Sequence, residues 1–80
     1  MKYTIQVDVD DMVEDDLRLV ERRNITDNRD PRELAAWLAR QHAAVGDDCT
    51  YHARVWLGHD ASPDTEPAAT TWASRSEDAP

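Results

Sequence analysis

The sequence predicts a small two-layer α+β domain in which two strands pack on two helices in the order β-α-α-β. One segment near the start and another past the middle alternate apolar and polar residues, with the period of two that is typical of strands. Between them, apolar residues recur at helical spacing behind two capping signals. The chain has 80 residues, which is enough for one small domain and not for two.

The first predicted strand covers Lys2 to Val9. One of its faces is apolar and rich in β-branched residues, and it carries Tyr3, Ile5, Val7 and Val9. The other face is polar, with Thr4, Gln6 and Asp8. This clean alternation predicts a strand that buries one face against the rest of the domain.

The first helix is predicted over residues 12–23. Asp11 followed by Glu14 three residues later is typical of a capping box. Acids in the first turn and the bases Arg22 and Arg23 in the last turn complement the helix dipole. Apolar residues then recur at helical spacing, namely Val13, Leu17 and Val20. One observation favours a strand instead, the alternation of Leu17, Arg18 and Leu19.

After a loop of turn-forming residues at 24–29, the second predicted helix runs from Pro31 to Val45. Asp30 is its N-cap, Pro31 takes the first helical position, and Glu33 completes the capping box. Gly46 is a suitable C-cap. The stripe predicted to face the core consists of Leu34, Trp37, Leu38, Gln41 and Val45.

A turn at Asp47 and Asp48 leads into the second predicted strand, residues 49–57, which Gly58 ends. Its inward residues are predicted to be Tyr51, Ala53, Val55 and Leu57, and its outward residues His52, Arg54 and Trp56. The domain is predicted to cover residues 1–59. Residues 60–80 are rich in Pro, Ser, Thr and acids, with Trp72 as the one large apolar side chain, so we expect an acidic, flexible tail.

Two strands alone make a weak sheet with both outer edges unpaired. Either the helices cover one face and the domain stands alone, or a second copy adds strands at an edge. We expect the second arrangement, a homodimer, because so small a core gains much from a partner.

The charge balance restricts the choice of partner. Seventeen acids against nine bases give a net charge of −8, which opposes direct binding to nucleic acid or to an anionic membrane. A basic protein partner is compatible with this charge. Cys49 is the only cysteine, and neither a signal-peptide pattern nor an apolar run of membrane-spanning length occurs. We therefore expect a cytoplasmic protein.

The stretch VDVDDMVEDD at residues 7–16 contains six carboxylates. A helix-loop-helix Ca²⁺ loop that began at Asp8 would have Val13 where Gly is needed and Leu19 where Glu is needed, so the match fails. Two interpretations remain, a solvated capping turn and a surface that imitates nucleic-acid phosphates. Capping accounts for Asp11 and Glu14. The acids kept as interaction candidates are Asp8, Asp10, Asp15 and Asp16.

Catalytic and metal chemistry is not expected. Cys49 and His52 have a spacing usable for zinc, but their odd and even strand positions point them apart. The chain has two glycines and contains neither a nucleophile elbow nor a phosphate-binding loop. No cofactor and no metal are therefore predicted, and the protein is not expected to be an enzyme.

The prediction for function is a small acidic accessory protein of bacterial or phage type. It would act by protein contact as a regulator, inhibitor or assembly factor. Trp and Arg dominate interface energetics, so Arg54 and Trp56 on the outward strand face and Trp72 in the tail are the predicted contact residues. The alternative is a nucleic-acid mimic that blocks a basic DNA- or RNA-binding protein through the acids of residues 7–16.

Overall fold

The computed structural model describes residues 1–10, 17–45 and 49–74, and in these ranges it contains four strands and one helix. In chain order they are β1 (Lys2–Asp10), β2 (Arg18–Thr26), α1 (Pro31–Val45), β3 (Thr50–Leu57) and β4 (Ala69–Ser74). The strands form one antiparallel sheet in the order β2-β1-β3-β4. The helix α1 covers one face of the sheet, lying against β3 and β4.

The two predicted strands are confirmed and form the centre of the sheet. Residues Tyr3, Ile5 and Val7 of β1 are fully buried in the same core as the buried side of α1, and so are Ala53 and Val55 of β3. Leu57 was predicted to face the core, but it lies at the end of β3 and is 61% exposed. The period of two was therefore a reliable guide wherever the strand has a neighbour on each side.

The helix predicted from Pro31 to Val45 is confirmed, and so is its N-cap. The Asp30 Oδ1 accepts a hydrogen bond from the backbone N–H of Glu33 at 2.9 Å. Within the described residues, no helix is long and apolar enough to cross a membrane.

Of the five residues predicted for the inward stripe of α1, only Leu34 and Leu38 are buried. The buried residues are Leu34, Ala35, Leu38, Ala39 and Ala43. Trp37 is 39% exposed, where the guanidinium of Arg29 lies 4.3 Å from its ring, and Val45 is 84% exposed. The predicted Gln41 is likewise exposed. The stripe is rotated because α1 turns its alanines to β3 and β4, where small side chains allow a close approach of helix to sheet.

The helix predicted over residues 12–23 is wrong in the part that the structure describes, because residues 18–26 form β2. Its proposed cap at Asp11 and Glu14 lies outside the described residues. The register with β1 shifts between Val7 and Asp8, which pair with Glu21 and Leu19. Val20 is thus an extra residue in a β-bulge, and such a residue interrupts the period of two that would have identified a strand.

The second correction concerns residues 69–74, which the sequence assigned to the tail. They form β4, pair with β3, and bury Ala73 in the core. One chain therefore supplies both outer strands, and the prediction of two strands on two helices, with a sheet that a second copy completes, is wrong. The low apolar content of residues 60–80 as a whole concealed six consecutive residues that suit a strand.

Candidate interaction surface on the outer sheet face

The sheet face away from α1, here called the outer face, carries side chains from all four strands. Cross-strand pairing arranges them in three rows. The first row is Leu19, Asp8, His52 and Trp72, and the second is Arg22, Gln6, Arg54 and Thr70. The third row is Asn24, Thr4 and Trp56. The structure thus places on one face all the residues that strand alternation assigned to it.

The loop of residues 58–68 covers the third row. The hydroxyl of Thr4 accepts a hydrogen bond from the backbone N–H of Ala61 at 3.0 Å. The indole N–H of Trp56 donates to the carbonyl of Thr65 at 2.8 Å. Trp56 is only 2% exposed as a result. This predicted contact residue is therefore part of the folded interior.

The second row joins the first through a buried polar network. Asp8 is 4% exposed, and its carboxylate accepts hydrogen bonds from Arg54 Nη2 at 2.8 Å and from the side-chain amide of Gln6 at 3.1 Å. The Gln6 Oε1 accepts in turn from Arg22 Nη1 at 2.7 Å. Both guanidinium groups lie over the ring of Trp56, 4.9 and 5.3 Å from its centre. Asp8 therefore acts within the fold, as the counter-ion of Arg54.

The first row, here called the open row, has an exposed apolar side chain at each of its ends. Trp72 is 50% exposed, and its ring stacks on His52 with 4.1 Å between centroids and 16° between planes. Leu19 at the other end of the row is 56% exposed. Sequence reasoning missed Leu19 because it placed this residue on a helix, although the alternation of residues 17–19 was the signal that could have identified it.

The histidine under Trp72 is held in an environment that disfavours its charge. Burial, and after it the guanidinium of Arg54, lower the pKa of His52 below its usual 6.5, while Asp8 acts in the opposite sense. Its ring Nδ1 and the Arg54 Nε are buried and have no hydrogen-bond partner among the described residues. Neutral His52 is therefore the form that suits the folded protein.

This shift predicts how stability changes with pH. The unfolded chain binds the proton of His52 more tightly than the folded protein does. The contribution of neutral His52 to folding stability is therefore fully present above about pH 6.5, and it is lost as the pH falls toward the folded-state pKa. We expect His52→Phe, which keeps the stack on Trp72, to reduce the loss of thermal stability between pH 7.5 and pH 5. Thermal unfolding, monitored by circular dichroism at both pH values, measures this loss of stability.

The pH range matters for this experiment, because Arg29 holds the pKa of Asp27 well below its usual range. Protonation of such carboxylates destabilises the fold only at pH below about 4. An undiminished loss of stability in His52→Phe between pH 7.5 and pH 5 would show that His52 does not cause it.

The other predicted site residues lie apart from the open row. Asp10 ends β1 opposite Thr50, whereas Asp15 and Asp16 lie outside the described residues. Cys49 packs against the core, on the opposite side of the sheet from His52. Among the residues that the structure describes, no three His, Cys, Asp or Glu side chains come together in a possible metal site.

The charge of the chain is unevenly distributed. The described ranges contain nine acids and eight bases, a net charge of −1, so −7 of the total of −8 belongs to residues 11–16, 46–48 and 75–80. Strand pairing brings Asp10, Arg18, Thr50 and Ser74 to the same end of the sheet. All three acidic segments are therefore attached to that end.

Comparison of the chain with protein-family models, with curated proteins and with solved structures finds no match. The residues of this chain are therefore the basis on which its function is inferred.

Proposed function

We propose that this chain is a small, acidic, cytoplasmic accessory protein that acts by contact with another protein, as a regulator, inhibitor or assembly factor, and that it has no catalytic role. The observation that supports this proposal best is Trp72, a large aromatic side chain half exposed on the sheet and stacked on His52. Leu19 at the far end of the open row adds a second exposed apolar side chain.

The arrangement favours binding for an energetic reason. A partner that covers Trp72 removes apolar surface from water, which stabilises the complex. Because the stack on His52 already fixes the indole, little side-chain entropy is lost on binding. Arg54, whose side chain is 24% exposed, can add a polar contact next to this apolar centre. Aromatic anchors with Arg beside them are typical of the energetic centres of interfaces.

Replacing Trp72 by Ala is expected to weaken binding of the partner at least tenfold, because truncation of a central aromatic anchor commonly costs about 2 kcal/mol or more. The partner is captured from a lysate of the source organism on immobilised protein, purified, and titrated against each variant by calorimetry. Trp37→Ala is the matched control, since Trp37 is a second exposed tryptophan, 39% exposed, on α1 at the opposite face of the sheet. Equal affinities of the two variants would contradict the proposal.

A nucleic-acid mimic is the second candidate, and the charge distribution favours it. Segments carrying −7 of the net charge are attached to one end of the sheet, where a basic groove could bind them in place of phosphates. The same titration separates the two functions. Binding of a mimic weakens steeply as salt rises and depends on Asp15 and Asp16, whereas binding through Trp72 tolerates salt.

A further inference from the structure

The two outer strands of the sheet differ in how they present their edges. The strand β2 contains the charged residues Arg18, Glu21, Arg22 and Arg23, and the bulge at Val20 interrupts its ladder with β1. Charges and bulges are the features by which natural sheets prevent their edges from pairing with other strands. The edge of β2 is therefore protected.

The edge of β4 has neither feature. Residues 67–74 form the longest run of the chain without a charged side chain, and β4 keeps a regular register with β3 from Ala69 to Ser74. Three of its residues, Thr70, Thr71 and Trp72, have high strand propensity. No described strand lies on its far side.

Hydrogen bonds of the neighbouring strands establish which backbone groups of β4 point outward. The Val55 carbonyl accepts from the Ala68 N–H at 2.8 Å, so the odd-numbered residues of β3 turn toward β4. The backbone N–H and C=O groups of successive residues in an antiparallel strand point to opposite sides. In β4 the residues paired with these odd-numbered residues are 69, 71 and 73, so their backbone groups point toward β3. The N–H and C=O groups of Thr70 and Trp72 consequently point to the open edge. An open cleft of about 370 Å³, which Thr70 helps to line, adjoins the start of β4.

We propose that β4 pairs antiparallel with β4 of a second copy of this chain, so that two complete four-stranded sheets join at their edges. A strand that pairs with its own copy about a two-fold axis must tolerate its own side chains opposite. The uncharged β4 does so, placing Trp72 opposite Trp72 or Thr70. Self-pairing of β2 about its centre would instead place Arg22 opposite Arg22, and like charges directly opposite each other are unfavourable.

The net charge of −8 opposes association of two copies, but the antiparallel arrangement limits this repulsion. The acidic segments are attached at the end of the sheet that contains Ser74, and antiparallel pairing directs these two ends away from each other. Added salt should therefore strengthen the self-association by screening the remaining repulsion. This is opposite in sign to the salt effect expected for a mimic bound to a basic protein.

The test is sedimentation velocity of the protein alone from about 10 µM to about 1 mM, since a contact this small gives weak association. We expect the mass to rise from 9.1 kDa toward twice that value. Thr70→Lys should raise the dissociation constant at least tenfold. The matched variant Thr26→Lys, an exposed threonine on the edge strand β2, should leave it unchanged.

Amide hydrogen exchange identifies the edge directly. The amides of Thr70 and Trp72 should become protected as concentration rises, while the amide of Thr71, bonded to β3, should be protected throughout. A monomer at 1 mM, an equal effect of Thr26→Lys, or dimers without protection of these amides would each overturn the proposal. Protection of Thr70 and Trp72 only on adding a different protein would assign the edge to that protein's strand and would overturn it too.

This pairing does not depend on the proposed function, because it uses the backbone edge of β4 rather than its outer face. Partner binding is measured at about 1 µM, where so weak a self-association leaves the chain monomeric. If one of the two experiments gives a negative result, the other can therefore still be carried out and interpreted.

Discussion

Replacing Asp8 by Ala is expected to lower the free energy of unfolding by about 3 kcal/mol, because it leaves a largely buried guanidinium without its counter-ion. Asp8 is 4% exposed, and Arg54 Nη2 lies 2.8 Å from its carboxylate. The substitution also removes the acceptor of the Gln6 side-chain amide. Domains of this size are only marginally stable, so we expect a large drop in the midpoint of urea unfolding.

Two variants show whether the loss comes from the ion pair. Asp64→Ala removes a carboxylate from an exposed position in the loop and should change the free energy of unfolding by less than about 0.5 kcal/mol. Arg54→Met combined with Asp8→Ala should cost less than the sum of the two single substitutions, because no unpaired charge then remains. Additive costs, or a loss below about 1 kcal/mol for Asp8→Ala, would show that the pair does not support the outer face.

Local patterns predicted the elements whose surroundings are regular. The alternation in β1 and β3 identified them, since each of these strands lies between two others and buries one face in the core. The Asp30-Pro31 start of α1 was equally clear, because a cap acts through bonds only three residues apart. These signals depend on neighbours in sequence and need no knowledge of the tertiary fold.

The outer strands could not be predicted in the same way. The extra residue Val20 breaks the periodicity of β2, and local acids before it imitate a helix cap. The strand β4 is stabilised by residues distant in sequence, among them His52 beneath Trp72. A composition averaged over residues 60–80 therefore indicated a tail. Pairing with β1 and with β3 decided these two strands, and such pairing is not visible in a local pattern.

For the candidate site, the sequence predicted which residues share the outer face but did not predict which of them are exposed. Strand alternation placed Asp8, Arg54 and Trp56 on one face, and the register confirms this. Which of them remain exposed depends on the loop of residues 58–68, which returns across the sheet and covers Trp56. The exposed aromatic residue of this face is instead Trp72, at the end of the open row.

Enlarging Ala39 to Leu is expected to lower the free energy of unfolding by about 2–3 kcal/mol through overpacking. Ala39 is fully buried in α1, one helical turn from Ala35 and from Ala43, and this alanine side faces β3 and β4. The sheet is also small there, with Ala53 and Ala73 in the core. A leucine at position 39 must displace the helix or adopt a strained rotamer.

Ala44→Leu is the matched control, since it makes the same change at an exposed position of the same helix. Leu and Ala have similar helix propensities, so its effect on urea unfolding should stay within about 0.5 kcal/mol. Suppose that only the substitution at Ala39 greatly lowers the free energy of unfolding. The small side chains, rather than the large apolar side chains of Leu34 and Leu38, then decide which side of α1 faces the sheet. Equal, small effects at both positions would mean that the space above β3 and β4 can accommodate a larger residue. The rotation of the helix away from its predicted orientation would then need another cause.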